Sequence, residues 1–240
     1  MGANAVTTVP VYTAGEVLTA ADMNITNSGI PVFATTVTRD AAFGGAGEKT
    51  LAEGQFAYIE ATNTTQYYDG AAWQSVGVSP GLVLIKTQTI GTTVGSVTLS
   101  DVFSSTYDNY LVVVSGGVGS TTSQMALTLG ATATGYYRFG TYGTYTSATV
   151  QGIQNSNGAN WGDAVGMSTN SLSGTIELLA PNLAKRTSYS SSMQQVATGG
   201  YSLRSAGFLD DATQYTAFTL TCGTGTVTGG TIKVYGYANS

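Results

Sequence analysis

Histidine is absent from this 240-residue chain, and Cys222 is its single cysteine. These two facts remove most catalytic arrangements. Without an imidazole there is no Ser-His-Asp or Cys-His nucleophile, and the commonest general base and neutral metal ligand are missing. Carboxylates remain, and Asp210-Asp211 is the one adjacent pair. Neighbouring residues point to opposite sides of a strand, so the pair predicts a turn rather than a catalytic dyad. Glycoside hydrolysis needs two carboxylates about 5 to 9 Å apart. Asp163 with Glu177 or Asp211 could supply them, but nothing in the spacing sets that geometry. The acids are also too scattered for a D-x-D-x-D-like calcium loop. Gly44-Gly45-Ala46-Gly47-Glu48-Lys49-Thr50 has the Lys-Thr ending of a phosphate-binding loop. Phe43 and Glu48, however, occupy the two positions that need glycine, and Glu48 would set a negative charge beside the phosphates. The expectation is a non-enzyme that takes no cofactor and no metal.

One stretch qualifies as a binding candidate. Between residues 140 and 173 no clean strand pattern is visible, and Gly, Ser, Thr and Asn dominate. Structureless connections beyond ~15 residues are uncommon unless they are functional or mobile. The sequence therefore offers one candidate surface-binding loop, carrying Tyr142, Tyr145, Asn155, Asn157, Asn160, Trp161 and Asp163. Aromatic rings with amide side chains suit the faces of sugars. The plainer alternative is a surface excursion that Trp161 merely pins down.

The elements around this stretch read as strands. Leu82–Lys86 and Tyr110–Ser115 are near-continuous apolar runs, and the second predicts a central strand. Gln124–Leu129 alternates with Met125, Leu127 and Leu129 inward, and Gly174–Leu179 puts Ile176 and Leu178 on one face. Ser96–Leu99, Thr187–Met193 and Tyr201–Leu209 are further candidates. Tyr215–Cys222 and the stretch 229–237, joined by a Gly- and Thr-rich connection, predict an antiparallel hairpin closing the domain. Cys222 stays in step with Phe218 and Leu220, which predicts a buried small hydrophobe rather than a reactive thiol. About eight or nine strands over residues 79–240 fit a β-sandwich or jelly-roll-like domain.

Upstream, residues 33–78 predict a small β module. It comprises a short helix at Val37–Phe43 capped by Thr38, strands at Gln55–Glu60 and Gln66–Tyr68, and an Asp69-Gly70 hairpin into Ala71–Val76. So small a unit cannot supply a large core, and oligomerisation is a usual remedy. Residues 1–32 form a polar lead-in with one helical turn at Thr19–Asn24. Such a segment is ordered by docking. Ser79-Pro80-Gly81 is the expected linker. The fold class is thus all-β, with a small hairpin module ahead of a sandwich.

Charge divides the chain at the same place. Residues 1–78 carry a net charge of −5 and residues 79–240 a net charge of zero. Charged residues are only 9% of the total, and the exposed strand faces must be coated with Thr, Ser and Tyr instead. No basic patch marks a nucleic-acid partner. No apolar run has the length of a signal peptide or of a membrane span. The expectation is a protein made in a cytosol, with a sticky surface and no export signal. A phage particle, assembled in the host cytoplasm and released by lysis, reconciles the two.

Thr13-Ala14-Gly15-Glu16-Val17-Leu18-Thr19-Ala20-Ala21-Asp22-Met23-Asn24 resembles the opening of tailed-bacteriophage minor tail and tail-fibre proteins. Further motifs resemble a recurrent phage module: Pro31-Val32-Phe33-Ala34, Thr38-Arg39-Asp40-Ala41-Ala42, Gly54-Gln55-Phe56-Ala57-Tyr58 and Tyr68-Asp69-Gly70-Ala71-Ala72-Trp73. The resemblance covers residues 13–76. More weakly, Gly230–Tyr237 is similar to C-terminal strands of phage fibre-like sandwich domains. The resemblance implies a virion structural protein, commonly a homotrimer. Its N-terminal segment, including Glu16, Leu18, Asp22 and Met23, would bind other virion proteins. Its sandwich, as a short tail fibre or tail-associated adhesin, would contact a host surface glycan. A capsid decoration or head-fibre protein and a free carbohydrate-binding module are the alternatives. The resemblance transfers no catalytic residues.

Overall fold

The computed structural model describes residues 12–20, 29–44, 49–77 and 81–239. The chain divides into two compact units, Met1–Ser79 and Pro80–Ser240. The expected helical turn at Thr19–Asn24, with Asp22 and Met23, and the linker residues Ser79 and Pro80 lie largely or wholly outside the described residues.

The first unit is a four-stranded sheet in the order β1 (Val32–Phe33), β2 (Phe56–Ile59), β3 (Thr64–Tyr68) and β4 (Trp73–Ser75). Its helix, α1 (Thr36–Asp40), starts earlier than the expected Val37, because Thr35 rather than Thr38 is the N-cap. Thr35 and Thr38 form a reciprocal capping box in which each side chain bonds the other's backbone N–H. Phe33, Ala42, Ala57 and Ile59 are buried, with Phe43 and Trp73 packed against them. The Arg39 guanidinium lies 4.5 Å from the Trp73 ring centroid. It also bonds Asp40 Oδ1 at 2.6 Å and Gln66 Oε1. Two of the sequence motifs, Arg39-Asp40-Ala41 and Tyr68–Trp73, are thereby one physical contact. In the hairpin, Asp69 Oδ1 accepts the N–H groups of Ala71 and Ala72, and Gly70 supplies the positive φ of 97° that the turn needs.

The second unit is an all-β sandwich. One layer has the order β5 (Leu82–Thr89), β18 (Thr231–Tyr237), β7 (Asn109–Ser115), β13 (Leu172–Leu179), β14 (Ser188–Gln194), β15 (Tyr201–Leu209), β10 (Tyr136–Thr144) and β11 (Val150–Gly158). The facing layer is β12 (Trp161–Met167), β9 (Ser123–Leu129), β16 (Phe218–Cys222) and β6 (Ser96–Leu99). The layers are continuous through the β12–β13 hairpin. A short ribbon pairs β8 (Val118–Gly119) with β17 (Val227–Thr228). Val112, Val114, Ile176, Leu178, Ile232 and Val234 pack against Met125, Leu127, Leu129, Phe218 and Leu220, as alternation predicts.

Two expectations are corrected. The final strand does not form a hairpin with Phe218–Cys222. It lies between β5 and β7 in one layer, while β16 lies between β6 and β9 in the other. The connection between them contains β17 and carries the chain from one layer to the other. Residues 140–173 are not a structureless loop. They contribute to four strands, β10 to β13. Their polar composition reflects position: β11 is an edge strand with no partner beyond β10 among the described residues.

Candidate functional site

The strand registers give the sandwich two distinct ends. Thr89, Ser115, Ser173, Gln194, Tyr201 and Thr144 gather at one end, and Leu82, Tyr237, Asn109, Leu179 and Tyr136 at the other. At the Thr89 end three hairpin tips are tied together. Tyr145 N–H donates to Gly200 O at 3.1 Å. Ser168 Oγ and Asn170 Nδ2 both donate to Val196 O, at 3.0 and 2.9 Å. Between the tips lies a shallow depression of about 380 Å³ lined by Tyr145, Asn170, Val196, Ala197 and Thr198.

Beside the tips, on the inner face of the longer layer, is a cleft of about 290 Å³ lined by Tyr142, Ile153, Asp163, Tyr201 and Leu203. The longer layer has eight strands and the facing one four. Residues at alternate positions point inward from each strand: Arg138 and Tyr142 from β10, Gln151 and Ile153 from β11, Tyr201 and Leu203 from β15. The rings of Tyr142 and Tyr201 lie 5.1 Å apart at 56°. Tyr142 donates its hydroxyl to Gln151 Oε1 at 2.5 Å.

Asp163 enters from the facing layer at an irregularity. Between Trp161 and Val165 the register of β12 on β9 shifts, leaving extra residues on β12. Asp163 takes a φ of 52° there, left-handed backbone that costs an ordinary residue of order 1 kcal/mol or more. The bulge turns the carboxylate toward the cleft, where Oδ2 pairs with Arg138 Nη2 at 2.7 Å and Oδ1 accepts the Tyr201 hydroxyl at 3.2 Å. Arg138 also donates to Gly162 O. Burial, reinforced by the neighbouring Asp163 charge, pushes the Tyr201 phenol well above the ordinary tyrosine range.

Tyr142 and Asp163 both line this cleft, and Tyr145 stands at the tips nearby, 54% exposed. The rest of the predicted set does not join them. Trp161 is fully buried, which corrects its placement on a binding surface. It stacks on Tyr189 at 4.5 Å and meets Tyr136 edge-on at 5.0 Å, and its Nε1–H donates to Tyr137 O. Asn155 lies opposite Arg138 and reaches Asn160 O, and Asn157 caps Gly135 N–H toward the Leu82 end. Arg138, Gln151 and Tyr201 escaped the sequence reading. One signal was available: between Asp108 and Glu177, Arg138 is the only base and Asp163 the only acid.

The other chemistry-bearing residues are dispersed. Glu177 lies on the outer face, bonded by the Tyr237 hydroxyl at 2.5 Å, so it does not face Asp163. Asp211 is held in a turn by Thr213 and Tyr215, and these hydrogen bonds lower its pKa. Asp210 pairs with Arg186. Cys222 is half-buried against the core, and burial raises its thiol pKa. Among the described residues no cluster of three His, Cys, Asp or Glu could hold a metal ion. No helix there is long and apolar enough to cross a membrane. In the lead-in, Glu16 accepts the Thr13 N–H at 2.9 Å, and Leu18 is 44% exposed. The cleft therefore presents two aromatic rings with hydroxyl and carboxylate groups. Comparison with protein-family models, curated proteins and solved structures finds no match to the chain.

Proposed function

We propose that the chain is a virion structural protein of the tail-fibre kind, whose sandwich contacts a glycan on the host surface. The observation that carries the binding half is the Tyr142–Tyr201–Asp163 cleft beside the tied hairpin tips. Tyrosines supply rigid, amphipathic contact area at low entropic cost. Few polar groups converge in the cleft, as in sites that fix a small ligand's orientation. The virion half rests on the resemblance of residues 13–76. In that reading the first unit is the attachment part and the assembly is a homotrimer. Its sheet leaves Phe56 and Tyr67 as an exposed cross-strand pair and Val37 74% exposed, apolar surface that partner chains would cover.

Calorimetry with purified host envelope polysaccharide tests the binding half. Tyr142→Ala is expected to weaken binding at least tenfold with little change in Tm, because the ring is partly exposed. Absence of binding by the wild-type protein overturns the adhesin reading. Light scattering tests the assembly: a trimer has three times the 24.5 kDa chain mass. Labelled antibody on intact virions then separates a tail position from a capsid decoration.

A further inference from the structure

We infer that the Tyr142–Tyr201 cleft takes a neutral pyranose and rejects its uronic acid counterpart; this rests on the glycan reading above. The argument is about which charges are already spent. Arg138 is the base paired with the cleft's Asp163, and its side chain is 11% exposed. One guanidinium nitrogen is paired with Asp163 and another with Gly162 O. The third nitrogen, Nε, has no hydrogen-bond partner but is buried, so the charge that could meet a ligand carboxylate is already matched by Asp163. None of the five lining residues is basic, and the one charged member is Asp163.

Asp163 keeps lone pairs beyond those used by Arg138 and Tyr201, since a carboxylate accepts about four hydrogen bonds. Its natural extra partner is a donor, and sugar hydroxyls are donors. A second carboxylate could only set like charge against it in a partly desolvated site, with no donor gained. The bulge that strains Asp163 into the cleft is the device that presents this acceptor. Size limits the ligand as well. At about 290 Å³ the cleft is at the lower edge of the ~300–1,000 Å³ range of small-molecule sites, room for a ring or two rather than a long oligosaccharide run.

The test uses the full chain and matched pairs of methyl glycosides and methyl uronides in gluco, galacto and manno configuration, titrated by calorimetry or ligand-observed NMR at pH 7. For the configuration that binds, the neutral glycoside is expected to bind at least tenfold tighter than its uronide. Asp163→Asn leaves the Arg138 charge unmatched, and a uronide carboxylate can then replace the lost one. The preference is expected to collapse or reverse in that variant. Tyr142→Ala, away from the charge pair, should weaken both partners while keeping their ratio. It keeps the test decisive if Asp163→Asn does not fold. Uronides that bind wild-type protein as tightly as the neutral sugars overturn this inference and leave the glycan reading standing. Binding of neither series, together with no binding of envelope polysaccharide, removes the glycan reading and this inference with it.

Discussion

Trp161 shows how a single residue can be misjudged from its neighbours. Gly158, Asn160 and Gly162 around it suggest a surface loop, yet the indole is the largest fully buried side chain among the described residues. The reason is the irregularity at 162–164. A regular strand alternates, but β12 buries Trp161 and then Ala164 to Met167 in succession, so period-two pattern matching fails there. Tyr142 and Asp163 were legible as chemistry-bearing types. Tyr201 was not, because its partner Asp163 lies 38 residues away and only the fold brings them together. Trp161→Ala is expected to destabilise the sandwich by about 3–5 kcal/mol, since it removes two ring contacts and leaves a cavity between layers. Thermal melting should fall by on the order of 10 °C. A shift within two or three degrees would place the indole outside the folding core.

At the scale of elements, strands with β-branched runs were readable and their partners were not. Tyr110–Ser115 is central, as its two apolar faces imply, with β18 on one side and β13 on the other. The last two long strands look like a hairpin because they are close in sequence with Gly and Thr between. They occupy different layers because β17 uses that connection to pair with β8. Local pattern encodes which residues face inward, whereas layer exchange depends on contacts far along the chain. Glycine marks one such contact. A Cβ on Gly207 of β15 would sit 1.9 Å from Tyr137 O on the backbone of β10. No rotamer change relieves a backbone clash, so Gly207→Ala must push β10 from β15. The cost is expected to be about 1–3 kcal/mol, as for other overpacking substitutions. Because β10 carries Tyr142 and β15 carries Tyr201, the proposed glycan binding should weaken in parallel. Hydrogen exchange would locate the effect: faster exchange confined to β10 and β15 supports the clash, and unchanged protection there refutes it.

For the whole molecule, the lack of histidine shapes the response to pH. No imidazole titrates between about pH 5 and 8, so stability should be flat there. The acid side is set by carboxylates such as Asp211, whose pKa is lowered by its hydrogen bonds to Thr213 and Tyr215. A depressed folded value means stability that is present above about pH 4 and lost as pH falls through it. The alkaline side is set by tyrosines. Burial raises the phenols of Tyr110, Tyr189, Tyr201 and Tyr215, and pushes Tyr136 up to about 12. Tyr237 is pushed up to about 12 chiefly by its hydrogen bond to Glu177. In the unfolded chain these phenols ionise near pH 10. Above that pH the unfolded state releases protons that the folded state keeps, so stability falls steadily through about pH 12. The raised Cys222 thiol adds a smaller decline starting near pH 8.5 to 9. Urea denaturation from pH 5 to 11.5 should therefore give a plateau followed by a fall that steepens above pH 10. Phenolate absorbance should lag behind that of free tyrosine until the protein unfolds. A denaturation midpoint that is unchanged between pH 9 and 11 would show that these phenols are not held neutral by the fold.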